Sequence, residues 1–129
     1  MKIILHLDDN PVFTQLTQAT IKPEEYSIKY IPVHKIEDAK NFFYSQLPDL
    51  FISDLMIDSD CEANGGIELI KFVHNTFPSV KIMVLSALPD AKIQRALSNY
   101  ISYYQVKMFQ TDELKEKIFM LLKKGRYND

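Results

Sequence analysis

The chain has 129 residues, 47% apolar and 25% charged, as an ordinary globular domain does, and 15 Lys and Arg against 17 Asp and Glu leave a charge of −2 with no general pull toward nucleic acid. No apolar stretch approaches the roughly 20 residues that span a bilayer, and the N-terminus lacks the apolar and small-residue segments of a secretory signal. The single cysteine, Cys61, cannot close an internal disulfide, so a cytoplasmic protein with no membrane contact is expected, built as one domain over 1–129 with no output module.

The first predicted strand, 2–7, reads Lys-Ile-Ile-Leu-His-Leu and runs straight into Asp8 and Asp9. A helix over roughly 11–21 follows, with Asn10 as N-cap, Pro11 at the first helical position, and Val12, Phe13, Leu16 and Ala19 as its inward stripe. A strand at 27–33 leads to a second helix that places Ile36, Ala39, Phe43 and Leu47 on one face before Pro48 stops it. The third strand, 50–54, ends on Asp54. An acidic stretch, Asp58-Ser-Asp60-Cys-Glu62-Ala-Asn64, separates it from a third helix that starts after Gly65 and Gly66, buries Ile67, Ile70, Val73 and Phe77, and ends before Pro78. The fourth strand, 81–86, ends on Ser86, and a helix over roughly 89–99 offers Ile93, Ala96, Leu97 and Tyr100. The fifth strand, 101–106, meets Lys107, and the last helix starts at a Thr111 cap with Leu114, Ile118, Leu121 and Leu122 on one face. Asp112 and Glu113 suit its positive first turn and Lys123 and Lys124 its last, which accounts for the basic C-terminal residues without a nucleic-acid surface.

None of these strands alternates cleanly between apolar and polar residues, as expected of strands covered on both faces. Five strands alternating with five helices predict an α/β fold, a doubly wound parallel sheet with helices on both sides. Ligands bind such sheets beyond the carboxyl ends of the strands, where Asp8-Asp9, Asp54, Ser86 and Lys107 all fall. Taken singly, an acid there is a cap or turn former, a serine a cap and a lysine a surface group; their coincidence on one edge points to chemistry. The carboxylates would repel one another unless a cation sits among them, and a hard ion such as Mg2+ prefers oxygen ligands. Asp54 could then act as a carboxylate nucleophile toward a phosphoryl group, with Lys107 and Ser86 stabilising charge on its oxygens and Ala87 leaving the entrance open. Alternate acids at Asp58, Asp60 and Glu62 suggest a calcium loop, but Ala63 and Leu69 stand where that loop needs glycine and a bidentate acid.

The segments Ile-Leu-His-Leu-Asp-Asp-Asn-Pro (4–11), Pro-Asp-Leu-Phe-Ile-Ser-Asp-Leu-Met (48–56), Val-Leu-Ser-Ala (84–87) and Val-Lys-Met-Phe (106–109) together resemble the receiver domain of two-component response regulators over almost the whole chain. The resemblance implies a flavodoxin-like sheet in the order 2-1-3-4-5. It makes Asp54 the phosphorylation site, Asp8 and Asp9 the acidic pair that holds Mg2+ with Asp54 and the Met56 carbonyl, and Ser86 and Lys107 the groups that meet the phosphoryl group. Tyr104 falls at an aromatic switch position. A stand-alone receiver of this kind takes its phosphoryl group from a sensor histidine kinase or a histidine phosphotransfer protein, docked near Pro11 to Phe13. It would signal to a downstream protein through the fourth helix, fifth strand and fifth helix; it is not a turnover enzyme.

The pattern also departs from that family. Asp58 stands where a proline is usual, and the late glycines imply an insertion of about four residues after Asp54. Met108 replaces the proline after the lysine; because a cis bond costs about 2 kcal/mol more before a non-proline residue, Lys107–Met108 is expected to be trans. Two alternatives stay open: a pseudo-receiver that binds partners regardless of phosphorylation, and a metal-dependent phosphatase. The phosphatase is disfavoured because His6, His34 and His74 fall on separate elements and none is placed to activate water.

Overall fold

The alternating runs form β1 (Lys2–Leu7), α1 (Pro11–Ile21), β2 (Ile28–Val33), α2 (Ile36–Ser45), β3 (Leu50–Ser53), α3 (Asn64–Thr76), β4 (Lys81–Ser86), α4 (Ala91–Leu97), β5 (Tyr103–Val106) and α5 (Thr111–Lys123). The computed structural model describes residues 1–21, 27–55, 64–87, 91–107 and 111–123. The strands form one sheet in the order β2-β1-β3-β4-β5, every neighbouring pair parallel. Parallel neighbours need a crossover over the sheet, and the helices supply it, so both faces are covered. Among the described residues no helix is long and apolar enough to cross a membrane.

Double coverage explains the missing alternation. All four residues of β3 are buried, because successive side chains enter two different cores. On one side Leu5, Leu7, Phe51, Ile82 and Val84 meet Ala39 and Phe43 of α2, Ile70 and Val73 of α3, and Leu97 of α4. On the other, Ile4, Leu50, Ile52, Met83 and Leu85 meet Ile21 of α1 and Ile118, Leu121 and Leu122 of α5. Each fully buried side chain of this size contributes about 1.5–3 kcal/mol to folding.

The helical spacing misplaces the inward face of α1. Val12 is 54% and Leu16 40% exposed and Ala19 is exposed, while Thr14, Thr17 and Ile21 are buried and Phe13 is half-buried. The surface beneath α1 is itself polar: the Tyr30 hydroxyl donates to the Thr14 carbonyl at 2.9 Å and accepts from His6 Nδ1 at 2.6 Å. The Thr14 hydroxyl is satisfied within the helix by the Pro11 carbonyl at 2.9 Å, so a threonine can face inward without an orphaned group. Other boundaries shift less. α3 begins at Asn64, so both glycines lie inside its first turn; β5 begins at Tyr103; and Leu47 lies past the end of α2, half-buried.

Candidate functional site

Backbone hydrogen bonds carry the sheet one residue past its strands and fix the carboxyl edge. The Asp8 N–H donates to the Val33 carbonyl at 3.1 Å, the Asp54 N–H to Leu7 at 2.9 Å, and the Lys107 N–H to Ser86 at 2.7 Å. Each of these residues is thus held as firmly as the strand before it. Pleat alternation then turns Asp8, Asp54 and Lys107 toward the α1–α5 side, in series with Ile4, Ile52 and Tyr103. Ser86, in series with Ile82 and Val84, turns toward the other side, and its tie to Lys107 is through its carbonyl.

Asp8, Asp9 and Asp54 converge, each offering a carboxylate oxygen within 4.8 Å of the others. Asp8 is 0% and Asp54 4% exposed, and burying two carboxylates this close is costly without opposite charge. The Lys107 ammonium supplies it, 2.6 Å from Asp8 Oδ2 and 3.3 Å from Asp54 Oδ2, with its side chain only 6% exposed. Asp8 Oδ2 has no hydrogen-bond donor among the described residues besides that ion pair. Asp8 Oδ1 accepts the Asn10 N–H at 2.9 Å, and Asn10 caps α1, its Oδ1 accepting the Val12 N–H at 3.0 Å. Three acidic oxygen donors within 4.8 Å of one another are a donor set that suits a small hard ion such as Mg2+.

Side chains under this cluster complete it. His34 Nδ1 donates to the Asp8 carbonyl at 2.9 Å. His6, fully buried one pleat behind Asp8, is pushed down from 6.5 to about 3, by burial first and then by the charges of Lys107 and His34, so its ring stays neutral. Its Nδ1 carries the proton given to Tyr30, leaving Nε2 without a partner among the described residues. Burial, and then the nearby Asp8 charge, raise the Tyr30 hydroxyl well above the usual phenol range. A ring fixed in this way is not placed to activate water.

Asp8, Asp9, Asp54 and Lys107 are therefore brought together, and Ser86 is tied to them through the backbone. Tyr104 is half-buried against the core beneath α2, α3 and α4. Met56, the acidic residues 58–62 and Met108 with its preceding peptide bond lie outside the described residues, as do the side chains of Asn64 and Thr111. The inward stripe of α1 and the docking stretch both include Phe13, but its contact with Lys107, with the ring centroid 4.0 Å from Nζ, is not foreseen from the sequence, nor are the pairs His34–Asp8 and His6–Tyr30. For Phe13 a signal existed: it lies in the first turn of a helix that Asn10 caps directly after the two acids.

The family described as "Response regulator receiver domain" matches residues 4–119. Among solved structures, the response regulator TrrA from Thermotoga maritima, in complex with Mg2+-BeF, is 29% identical and superposes with a TM-score of 0.76 over 94% of this chain and 99% of that one. Another response regulator from Thermotoga maritima, 21% identical, shares the fold with a TM-score of 0.82 over 95% and 98% of the two chains. The sensor histidine kinase TmoS of Ectopseudomonas mendocina is 37% identical over 78 residues, which are 58% of this chain and 8% of that protein. With a flavodoxin-like sheet in the order 2-1-3-4-5 and a match across nearly its whole length, this chain belongs to the response regulator receiver domain family of two-component systems.

Proposed function

We propose that this receiver domain accepts a phosphoryl group on Asp54. The observation that carries the reading is the convergence of carboxylate oxygens of Asp8, Asp9 and Asp54 within 4.8 Å of one another, with the Lys107 ammonium paired to Asp8 and Asp54. An Asp54 carboxylate oxygen attacks phosphorus; the phosphorus–nitrogen bond of a donor phosphohistidine breaks, and the imidazole leaves with the electron pair. Asp8, Asp9 and Asp54, with the Met56 carbonyl that the family resemblance adds, would hold Mg2+, which would supply positive charge to offset the acids and the incoming phosphoryl oxygens. Lys107 holds its ammonium against the same oxygens, and Ser86 supplies the hydroxyl that follows the phosphoryl group into place.

The donor is a sensor histidine kinase or a histidine phosphotransfer protein. It docks near Pro11 to Phe13 at the start of α1, where Val12 is exposed and Leu16 extends the apolar surface along the helix. Output goes to a downstream protein through the α4–β5–α5 side, with Tyr104 reporting the change at Ser86 and Lys107. Incubation with acetyl phosphate and Mg2+ should add one phosphoryl mass to the wild type and none to Asp54→Asn, read by intact-protein mass spectrometry. An unmodified wild type under acetyl phosphate, phosphoramidate and a phosphorylated kinase alike would overturn the reading in favour of a phosphorylation-independent binding module.

A further inference from the structure

We infer that Phe13 is a positioning residue of the pocket, the face of its ring holding the Lys107 ammonium against Asp8 and Asp54. Lys107 reaches the acids on a flexible four-carbon stem, and with 6% of its side chain exposed its ammonium has given up most of its water. Such a group needs three directions satisfied. Asp8 Oδ2 at 2.6 Å and Asp54 Oδ2 at 3.3 Å meet two of them, and the Phe13 ring, with its centroid 4.0 Å from Nζ, meets the third. An aromatic face attracts a cation through its quadrupole, most strongly where water is excluded. An aliphatic side chain of similar bulk would fill the same space without that attraction.

The ring is aimed by the acid it serves. Asp8 Oδ1 accepts the Asn10 N–H at 2.9 Å, and the Asn10 carbonyl accepts the Phe13 N–H at 3.1 Å. Asp8, Asn10 and Phe13 thus form one unit that presents a carboxylate and a ring to the same ammonium. Because Phe13 acts through Lys107, it steadies the cation before any donor arrives and keeps it over Asp54 during transfer; this last role rests on the phosphoacceptor reading above.

Two arms test the inference. In the first, without metal or phosphodonor, the unfolding equilibria of wild type, Phe13→Leu, Lys107→Met and the double variant are measured in denaturant. The effects are expected to be non-additive by a factor between about twofold and thirtyfold, the range of a cation–ring contact; additive effects overturn the proposal. In the second, Phe13 is replaced by mono-, di-, tri- and pentafluorophenylalanine, which keep the shape while draining the ring face of negative charge. The acetyl phosphate rate at fixed Mg2+ is expected to fall stepwise along the series, and Phe13→Tyr to stay within about twofold of wild type. A ring that merely fills space predicts a flat series, and a flat series overturns the positioning role. A wild type that takes up no phosphoryl group sinks the phosphoacceptor reading instead, and the metal-free arm then decides the contact by itself.

Discussion

His6 is a polar side chain in the middle of a sheet, and its one described partner is the Tyr30 hydroxyl at 2.6 Å, with Nε2 left unpartnered. Charging that ring would bury an imidazolium close to Lys107 and His34, which is why it is held near 3 rather than 6.5. The sign of the consequence follows. Between those two values the unfolded chain binds a proton that the folded chain refuses, so stability rises with pH there. It is fully present above 6.5 and lost as pH falls toward 3. Each pH unit within that window costs about 1.4 kcal/mol from this group. Denaturant unfolding from pH 7 downward should show His6→Phe losing stability less steeply than the wild type by about that slope, since the carboxylates common to both cancel. Parallel curves would mean that the imidazole charges freely inside the fold.

At the scale of the element, the first turn of α3 sets a close steric constraint on the pocket. A Cβ on Gly66 would sit 2.5 Å from the Leu55 carbonyl oxygen and 3.0 Å from that of Asp54, so only glycine lets the helix close on the backbone that presents the acid. Gly66→Ala should destabilise by about 1–3 kcal/mol, as overpacking against backbone does, and should slow phosphoryl uptake by displacing Asp54. Thermal unfolding and acetyl phosphate kinetics on one preparation check both effects. The glycines were visible in the sequence, but not their place inside the helix, because nothing local marks a glycine as helical when a backbone elsewhere demands it. α1 misled for the opposite reason. Its strongest apolar spacing, Val12 and Leu16, faces outward, while Thr14 and Thr17 face a sheet surface made polar by residues from β1 and β2. Val12→Ser and Leu16→Ser should therefore each change the unfolding free energy by no more than about 0.5 kcal/mol. A loss of 2 kcal/mol or more, typical of a truncated core residue, would place them inward after all.

Across the whole molecule, what could be read from the sequence is what parallel pairing forces: five apolar runs separated by helices leave their carboxyl ends on one edge, where Asp8, Asp54 and Lys107 follow three of them and Ser86 ends a fourth. Which side of the sheet each residue takes, and that Lys107 lies between two buried acids, depend on packing that no local pattern encodes. Under the proposed function that placement would make Lys107 a competitor as well as a helper. Its ammonium and a bound Mg2+ would draw on the same carboxylates of Asp8 and Asp54, and two cationic groups a few ångström apart oppose each other by about 1 kcal/mol per charge pair even in water. Removing the ammonium should therefore tighten Mg2+ binding in Lys107→Met on the order of tenfold, whereas Asp9→Asn should weaken it. Folding is linked to the same event: an ion bound by the native state alone stabilises the wild type by about 2.7 kcal/mol at a hundredfold excess over its Kd, and a tenfold tighter site adds about 1.4 kcal/mol at equal Mg2+. The chain has no tryptophan to report the ion, so calorimetric titration gives the affinities and denaturant unfolding with and without Mg2+ gives the linkage. If Lys107→Met binds Mg2+ no better than the wild type, the ammonium and the ion do not share the carboxylates.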